Sequence, residues 1–176
     1  MGQGLHTKIC QVVARELGLD LDSVRISATR TDKVPNTSPT AASSGADLNG
    51  MAARDAASKL RERLFDFAAQ HFEGGMDREG MRLENGMLVA GIGESERRIP
   101  WGELIQTAYL NRVSLSEKGF YATPLIHYNR ATGQGRPFYY YAFGAAVAEV
   151  SVDTLSGEYL VDRVDVLHDV GNSLNP

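Results

Sequence analysis

Apolar positions along this chain recur with two periods. Leu5, Ile9, Val12, Val13 and Leu17 return at helical spacing with Lys8, Gln11, Arg15 and Glu16 between them, and Gly18 follows where a helix end favours a left-handed residue. The pattern predicts an amphipathic helix. Val24 to Thr29 alternates Val24, Ile26 and Ala28 with Arg25, Ser27 and Thr29, which predicts a half-buried strand after a turn at residues 20–23. Leu48, Ala52, Ala56, Leu60, Leu64 and Phe67 then step along one face as far as His71, opposite Arg54, Asp55, Lys59, Arg61, Glu62 and Arg63. This is a long helix with a solvated face, ended by Gly74-Gly75.

Further on, Asn85-Gly86 inside residues 81–90 is the strongest hairpin signal, here a surface hairpin, and residues 97–99 add a short strand. Pro100 marks a helix start, with Trp101, Leu104, Ile105, Ala108 and Tyr109 as its buried stripe up to Leu110. Residues 113–122 alternate as a strand, and 127–137 read as a loop. Phe138 to Val152 is rich in aromatic and β-branched residues, which predicts a long, largely buried strand bent at Gly144, with Tyr139 to Tyr141 in the sheet core. Residues 153–157 turn, and Tyr159 to Val170 returns with Leu160, Val164, Val166 and Leu167 inside, making a meander hairpin. The fold class is therefore α+β, a mixed sheet with packed helices, in three parts: a helix-strand-helix part at 1–73, a hairpin and helix at 74–112, and a sheet part at 113–176.

Composition narrows the functions. The 176 residues are 43% hydrophobic and 23% charged with a net charge of −4, and no cluster of Lys and Arg is broad enough for nucleic acid. No apolar run approaches a membrane span, the single Cys10 excludes an intrachain disulfide, and no signal peptide is recognisable. The expected compartment is the cytoplasm. Motif-like sequence from Met1 onward, and a chain that stops just after a strand-like run, set the expectation of a piece of something longer.

Candidate chemistry centres on Val34 to Leu48. Pro35 and Pro39 stiffen the approach, Thr40 to Gly45 offer almost no side-chain bulk, and Ser43 or Ser44 caps the long helix, Ser44 and Asp47 having capping-box spacing. Free amides and the helix dipole there suit an anion such as a phosphate. Ahead of the first helix, Met1-Gly2-Gln3-Gly4 leaves backbone open to a ligand and presents the Gln3 amide. His6 and Cys10 share a helix face, but with no further Cys or His nearby they read as a polar or hydrogen-bonded histidine and a small packing residue, not a metal site. A Ser43, His6 and Asp47 nucleophile-base-orienter arrangement is the outside alternative, without a nucleophile elbow to support it. Asp162 and Asp165 read as surface charge.

Met1-Gly-Gln-Gly-Leu-His-Thr-Lys8, Val34-Pro-Asn-Thr-Ser-Pro-Thr-Ala-Ala-Ser43, Ser114-Leu-Ser with Gly119-Phe-Tyr121, and Asp169-Val-Gly-Asn-Ser-Leu-Asn-Pro176 together resemble the molybdenum-binding subunit of molybdenum hydroxylases, in the xanthine dehydrogenase branch more than the aldehyde oxidase branch. The resemblance runs in order over nearly the whole chain and implies part of a molybdopterin-binding domain. In that family a purine (hypoxanthine or xanthine, towards urate) is hydroxylated with oxygen from water. Electrons pass from molybdenum-molybdopterin through Fe–S clusters and FAD, on other domains or a partner subunit, to NAD as acceptor. It implies that Met1, Gly2 and Gln3 contact the pterin cofactor, that Thr40, Ala41, Ala42 and Ser43 surround it, and that Ala41 and Ala42 wall the substrate pocket, Ala42 near the molybdenum. No residue here would ligate the metal directly. The family's Gly-Glu-Pro-Pro segment with its glutamate base would lie beyond Pro176, and the arginine and glutamate that orient the purine before Met1, so this stretch has no catalytic residue and would be inactive alone. The partners implied are the remainder of the subunit, the Fe–S/FAD subunit or domains, and an oligomer of the complete enzyme. A non-catalytic module of the same fold is the other reading.

Overall fold

The computed structural model describes residues 3–27, 29–30, 32, 40, 44–72 and 77–174. They form two compact units, residues 1–122 and 123–174.

In the first unit, helix α1 (Leu5–Glu16) and helix α2 (Ser44–His71) lie where periodicity places them. They pack side by side. Glu16 links them, accepting from Arg54 at 3.3 Å and from Arg61 at 2.5 Å, and Arg61 continues to Glu62, which takes Arg78 at 2.7 Å. The turn expected at residues 20–23 is a single 3-10 turn, Leu21–Ser23. No strand follows it: Val24–Ser27 find no strand to pair with among the described residues, and alternation without a neighbour makes no ladder. The Gly74-Gly75 stop lies outside the described residues.

Strands β1 (Arg82–Glu84), β2 (Met87–Ala90) and β3 (Arg97–Pro100) form an antiparallel sheet in chain order. Asn85 and Gly86, at φ 50° and 71°, make the tight turn that their sequence calls for. The hairpin is not a surface feature. Leu88 and Val89 on β2 are fully buried, because β2 is the middle strand and lies against helix α3 (Trp101–Leu110), and Leu88 shares a core with residues of α2. The core joins Leu64, Phe65 and Ala68 of α2, Met81 just ahead of β1, Leu88 and Ile99 of the sheet, and Leu104 and Ala108 of α3, with Trp101 and Ile105 at its margin. Tyr109 leaves the predicted stripe and is 71% exposed.

Residues 113–122, expected as a strand, run as irregular chain along α2. Side chains of α2 take the place of a ladder. Arg63 donates to the carbonyls of Ser114 at 3.0 Å and Ser116 at 3.3 Å and pairs with Glu117, while Asp55 accepts the N–H of Phe120 at 3.0 Å. A Cβ on Gly119 would stand 1.8 Å from the Ala52 carbonyl oxygen, so only glycine lets the backbone lie this close.

In the second unit the expected loop at 127–137 is a small hairpin, β4 (His127–Asn129) with β5 (Gln134–Arg136). The Asn129 side chain organises its turn by accepting the N–H groups of Ala131 and Thr132. The meander hairpin is present as β6 (Gly144–Val152) and β7 (Tyr159–His168). It begins at Gly144, not Phe138, and it is not buried: Tyr139 to Tyr141, Leu160, Val164, Val166 and Leu167 are all exposed. The apolar run reports what these side chains suit; what lies against them is a separate matter. The whole is α+β as the pattern indicates, its strands gathered into small antiparallel sheets.

Candidate functional site

Of the two stretches that carry the candidate chemistry, the described residues are Gln3 and Gly4 at the start of α1, Thr40, and residues 44–48 at the start of α2. Gly4, at φ 70°, turns the chain into α1 in the left-handed conformation and provides no side-chain cap, so the first amides of α1 lack a side-chain partner from that residue. Leu5 is buried against Gly45. A Cβ on Gly45 would come within 2.7 Å of Leu5 Cδ2 and 2.9 Å of Thr40 Cγ2. Gly45 is thus the point on which Leu5 and Thr40 both close.

Gln3 is exposed and Thr40 half-buried, and neither Gln3's amide nor Thr40's hydroxyl is hydrogen-bonded to another described residue. Met1, Gly2, Ala41, Ala42 and Ser43 lie outside the described residues, and with Ser43 so does any test of its pairing with His6 and Asp47. Ser44 is the first residue of α2. Asp47 already complements the dipole of α2 within its first turn, whereas the first turn of α1 has no acidic residue. Of the two helix starts, that of α1 is better suited to an anion. Leu5 stands in the predicted apolar stripe of α1 and Gly45 in the small-residue run, but that the two touch has no signal along the chain.

The Gln3 amide can donate and accept hydrogen bonds and so can the Thr40 hydroxyl, while Gly45, free of a Cβ, lets Leu5 and Thr40 pack closely on α2. Among the described residues no group of three or more His, Cys, Asp and Glu is placed to hold a metal ion. His6 and Cys10 line a cavity of about 310 Å³ with Thr7, Leu21, Asp22, Val24 and Ile26. A carboxylate shift occurs lower on α2: the Lys59 ammonium, then the Phe120 N–H, hold Asp55 below the ordinary carboxylate value. It serves the packing of residues 113–122. Asp162 and Asp165 are exposed, bound to Ser151 and Arg163 respectively.

Comparison with known proteins gives the arrangement its context. The chain is 42% identical over 176 residues to a xanthine dehydrogenase/oxidase of Gallus gallus and 42% identical over 179 residues to a xanthine dehydrogenase of Dictyostelium discoideum, in each case over 100% of this chain and 11% of the relative. The chain thus spans about a tenth of the length of these curated relatives. Among solved structures, a Cu,Mo-CO dehydrogenase superposes with a TM-score of 0.71 at 25% identity, covering 99% of this chain and 21% of that one. The quinoline 2-oxidoreductase of Pseudomonas putida 86 shares the fold at a TM-score of 0.70 and 23% identity, over 99% of this chain and 21% of that one. The family model for a molybdopterin cofactor-binding domain matches residues 1–176, the full length, and the chain belongs to that family.

Proposed function

We propose that these residues form one wall of the molybdopterin seat in a xanthine dehydrogenase-type molybdenum hydroxylase. The observation that supports this reading is the closure of Leu5, at the start of α1, and of Thr40 on Gly45, at the start of α2. Gln3, with Met1 and Gly2, hydrogen-bonds the pterin, and Thr40 to Ser43 enclose it. Ala41 and Ala42 leave room for a flat purine near the metal, where any larger side chain would occupy its space. When bound, molybdopterin supplies a redox-active molybdenum, held by the cofactor's own dithiolene, for hydroxylation of the purine with water. This chain's own residues orient the group and shape the pocket.

In the complete enzyme the electrons leave through Fe–S clusters and FAD to NAD. The remainder of the molybdenum-binding subunit supplies the general base and the purine-orienting residues, and the 176 residues alone are inactive. The compartment is the cytoplasm; among the described residues no helix is long and apolar enough to cross a membrane. The test is the molybdenum and pterin content of protein carrying the full flanking sequence, with and without Gln3→Ala. A folded parent with stoichiometric cofactor, depleted in the variant at unchanged melting temperature, is the expected result. A correctly folded, metal-free parent overturns the proposal.

A further inference from the structure

The β6–β7 hairpin has two chemically different faces. Directly paired residues share a face, and on one of them the pairs are Gly144 with His168, Ala146 with Val166, Ala148 with Val164, Val150 with Val161 and Val152 with Tyr159, without an Asp, Glu, Lys or Arg side chain. On the other, Ala145 faces Leu167, Val147 faces Asp165, Glu149 faces Arg163 and Ser151 faces Leu160, with Arg163 paired to Asp165 at 2.7 Å and Ser151 bonded to Asp162. The register shift between Glu149 and Val150 keeps the two faces distinct on both sides of the irregularity. The apolar face is nonetheless open: Val164 is 57% and Val150 53% exposed.

A two-stranded hairpin with one bare apolar face is marginal in water, and continuous exposed apolar surface of this kind marks an interface. We propose that this face is covered by a layer of the same polypeptide outside residues 1–176, while the Glu149–Arg163 face remains in solvent. The inference rests on the reading that the chain works within a larger hydroxylase subunit. Its support is that the face from Ala146 to Val152 carries no Asp, Glu, Lys or Arg, which suits an apolar structural layer, and the size of the relatives, in which this chain accounts for only 11% of the length. Tethered chain also competes at an effective concentration on the order of millimolar, which a free second copy does not reach.

Thiol labelling followed by peptide mapping tests this, using Val164→Cys and Glu149→Cys, each in the 176-residue chain and in the polypeptide with its flanking sequence. The expected result is that the Val164→Cys thiol reacts at least about tenfold slower in the longer polypeptide, while the Glu149→Cys thiol reacts at similar rates in both. Equal reactivity of the Val164→Cys thiol in the two contexts overturns the inference. So does its protection in the 176-residue chain together with a discrete dimer in sedimentation, which would make a second copy the occupant. Measuring molybdenum in the same preparations separates the two proposals. Bound cofactor with a reactive Val164→Cys thiol overturns only this inference, and a protected thiol without cofactor supports it while overturning the proposed function.

Discussion

The carboxylate of Asp55 accepts the backbone N–H of Phe120 at 3.0 Å, and the same oxygen takes the Lys59 ammonium at 2.6 Å. A helix side chain thereby fastens a strand-like stretch that has no strand beside it. The Lys59 and Phe120 donors both lower the Asp55 pKa from its ordinary value of 3.8, and the Lys118 N–H with the Arg63 guanidinium lowers Glu117 from 4.5. A depressed folded pKa means that the contribution to stability is present above the unfolded value and lost as pH falls through the folded one. Residues 113–122 should therefore remain docked from neutral pH down to the ordinary carboxylate range and loosen below it. Amide exchange of Phe120, corrected for the intrinsic pH dependence, should show protection lost only below that range, and Asp55→Asn should remove the pH dependence assigned to this contact. Unchanged protection through acid would refute the assignment.

Gly119 sets how closely the same stretch can lie. Because its missing Cβ would stand 1.8 Å from a backbone oxygen, no rotamer change can relieve the overlap. Gly119→Ala should cost about 2 kcal/mol or more, in the range of overpacked sites. Urea unfolding would measure it, and a variant as stable as the parent would show that the stretch can lift off α2 freely.

Two glycines at similar φ offer a contrast. Gly86, at +71°, has open space around its would-be Cβ, whereas at Gly18, at +61°, that atom would lie 2.3 Å from the carbonyl carbon and oxygen of Leu83. Gly86 also donates its N–H to the Gly18 carbonyl at 2.7 Å, so the two sit at one junction between the end of α1 and the hairpin tip. Gly86→Ala should cost about 1 kcal/mol, the conformational penalty alone. Gly18→Ala should cost about 2–3 kcal/mol, since overpacking adds to it. Equal losses in chemical denaturation would mean that the hairpin tip is not seated on α1.

The readable parts of this chain were those where the pattern and the contact coincide locally. The stripe of α1 and the Asn85-Gly86 turn depend on residues a few positions apart, and both formed as expected. Residues 113–122 show the opposite: their alternation resembles a strand, but Arg63 and Asp55, about fifty to sixty-five positions earlier, supply the bonds that a neighbour strand would. The four-residue run of β2 could not announce its burial, which follows from its place between β1 and β3. For the candidate site, Gln3 and Thr40 carried motif signals. Leu5 reaching Gly45 is a contact no period along the chain encodes.

That contact also permits the sharpest test of the seat. Leu5 is buried, and its Cδ2 lies where a Cβ on Gly45 would crowd it, so Leu5→Ala should open a cavity at the junction of α1, Thr40 and α2. Loss of a buried leucine costs about 2–5 kcal/mol, large enough to read as a melting shift in the 176-residue chain. If the junction also positions Gln3 and Thr40 for the pterin, the longer polypeptide bearing Leu5→Ala should lose cofactor on dialysis faster than one bearing Ala108→Gly. Ala108 is fully buried in the core between α2 and α3, which makes that variant a destabilised control away from the seat. Comparing the two at temperatures equally far below their own melting points removes the general effect of lowered stability. Faster cofactor loss confined to Leu5→Ala is the expected outcome, and equal retention would leave Leu5 a packing residue with no bearing on the cofactor.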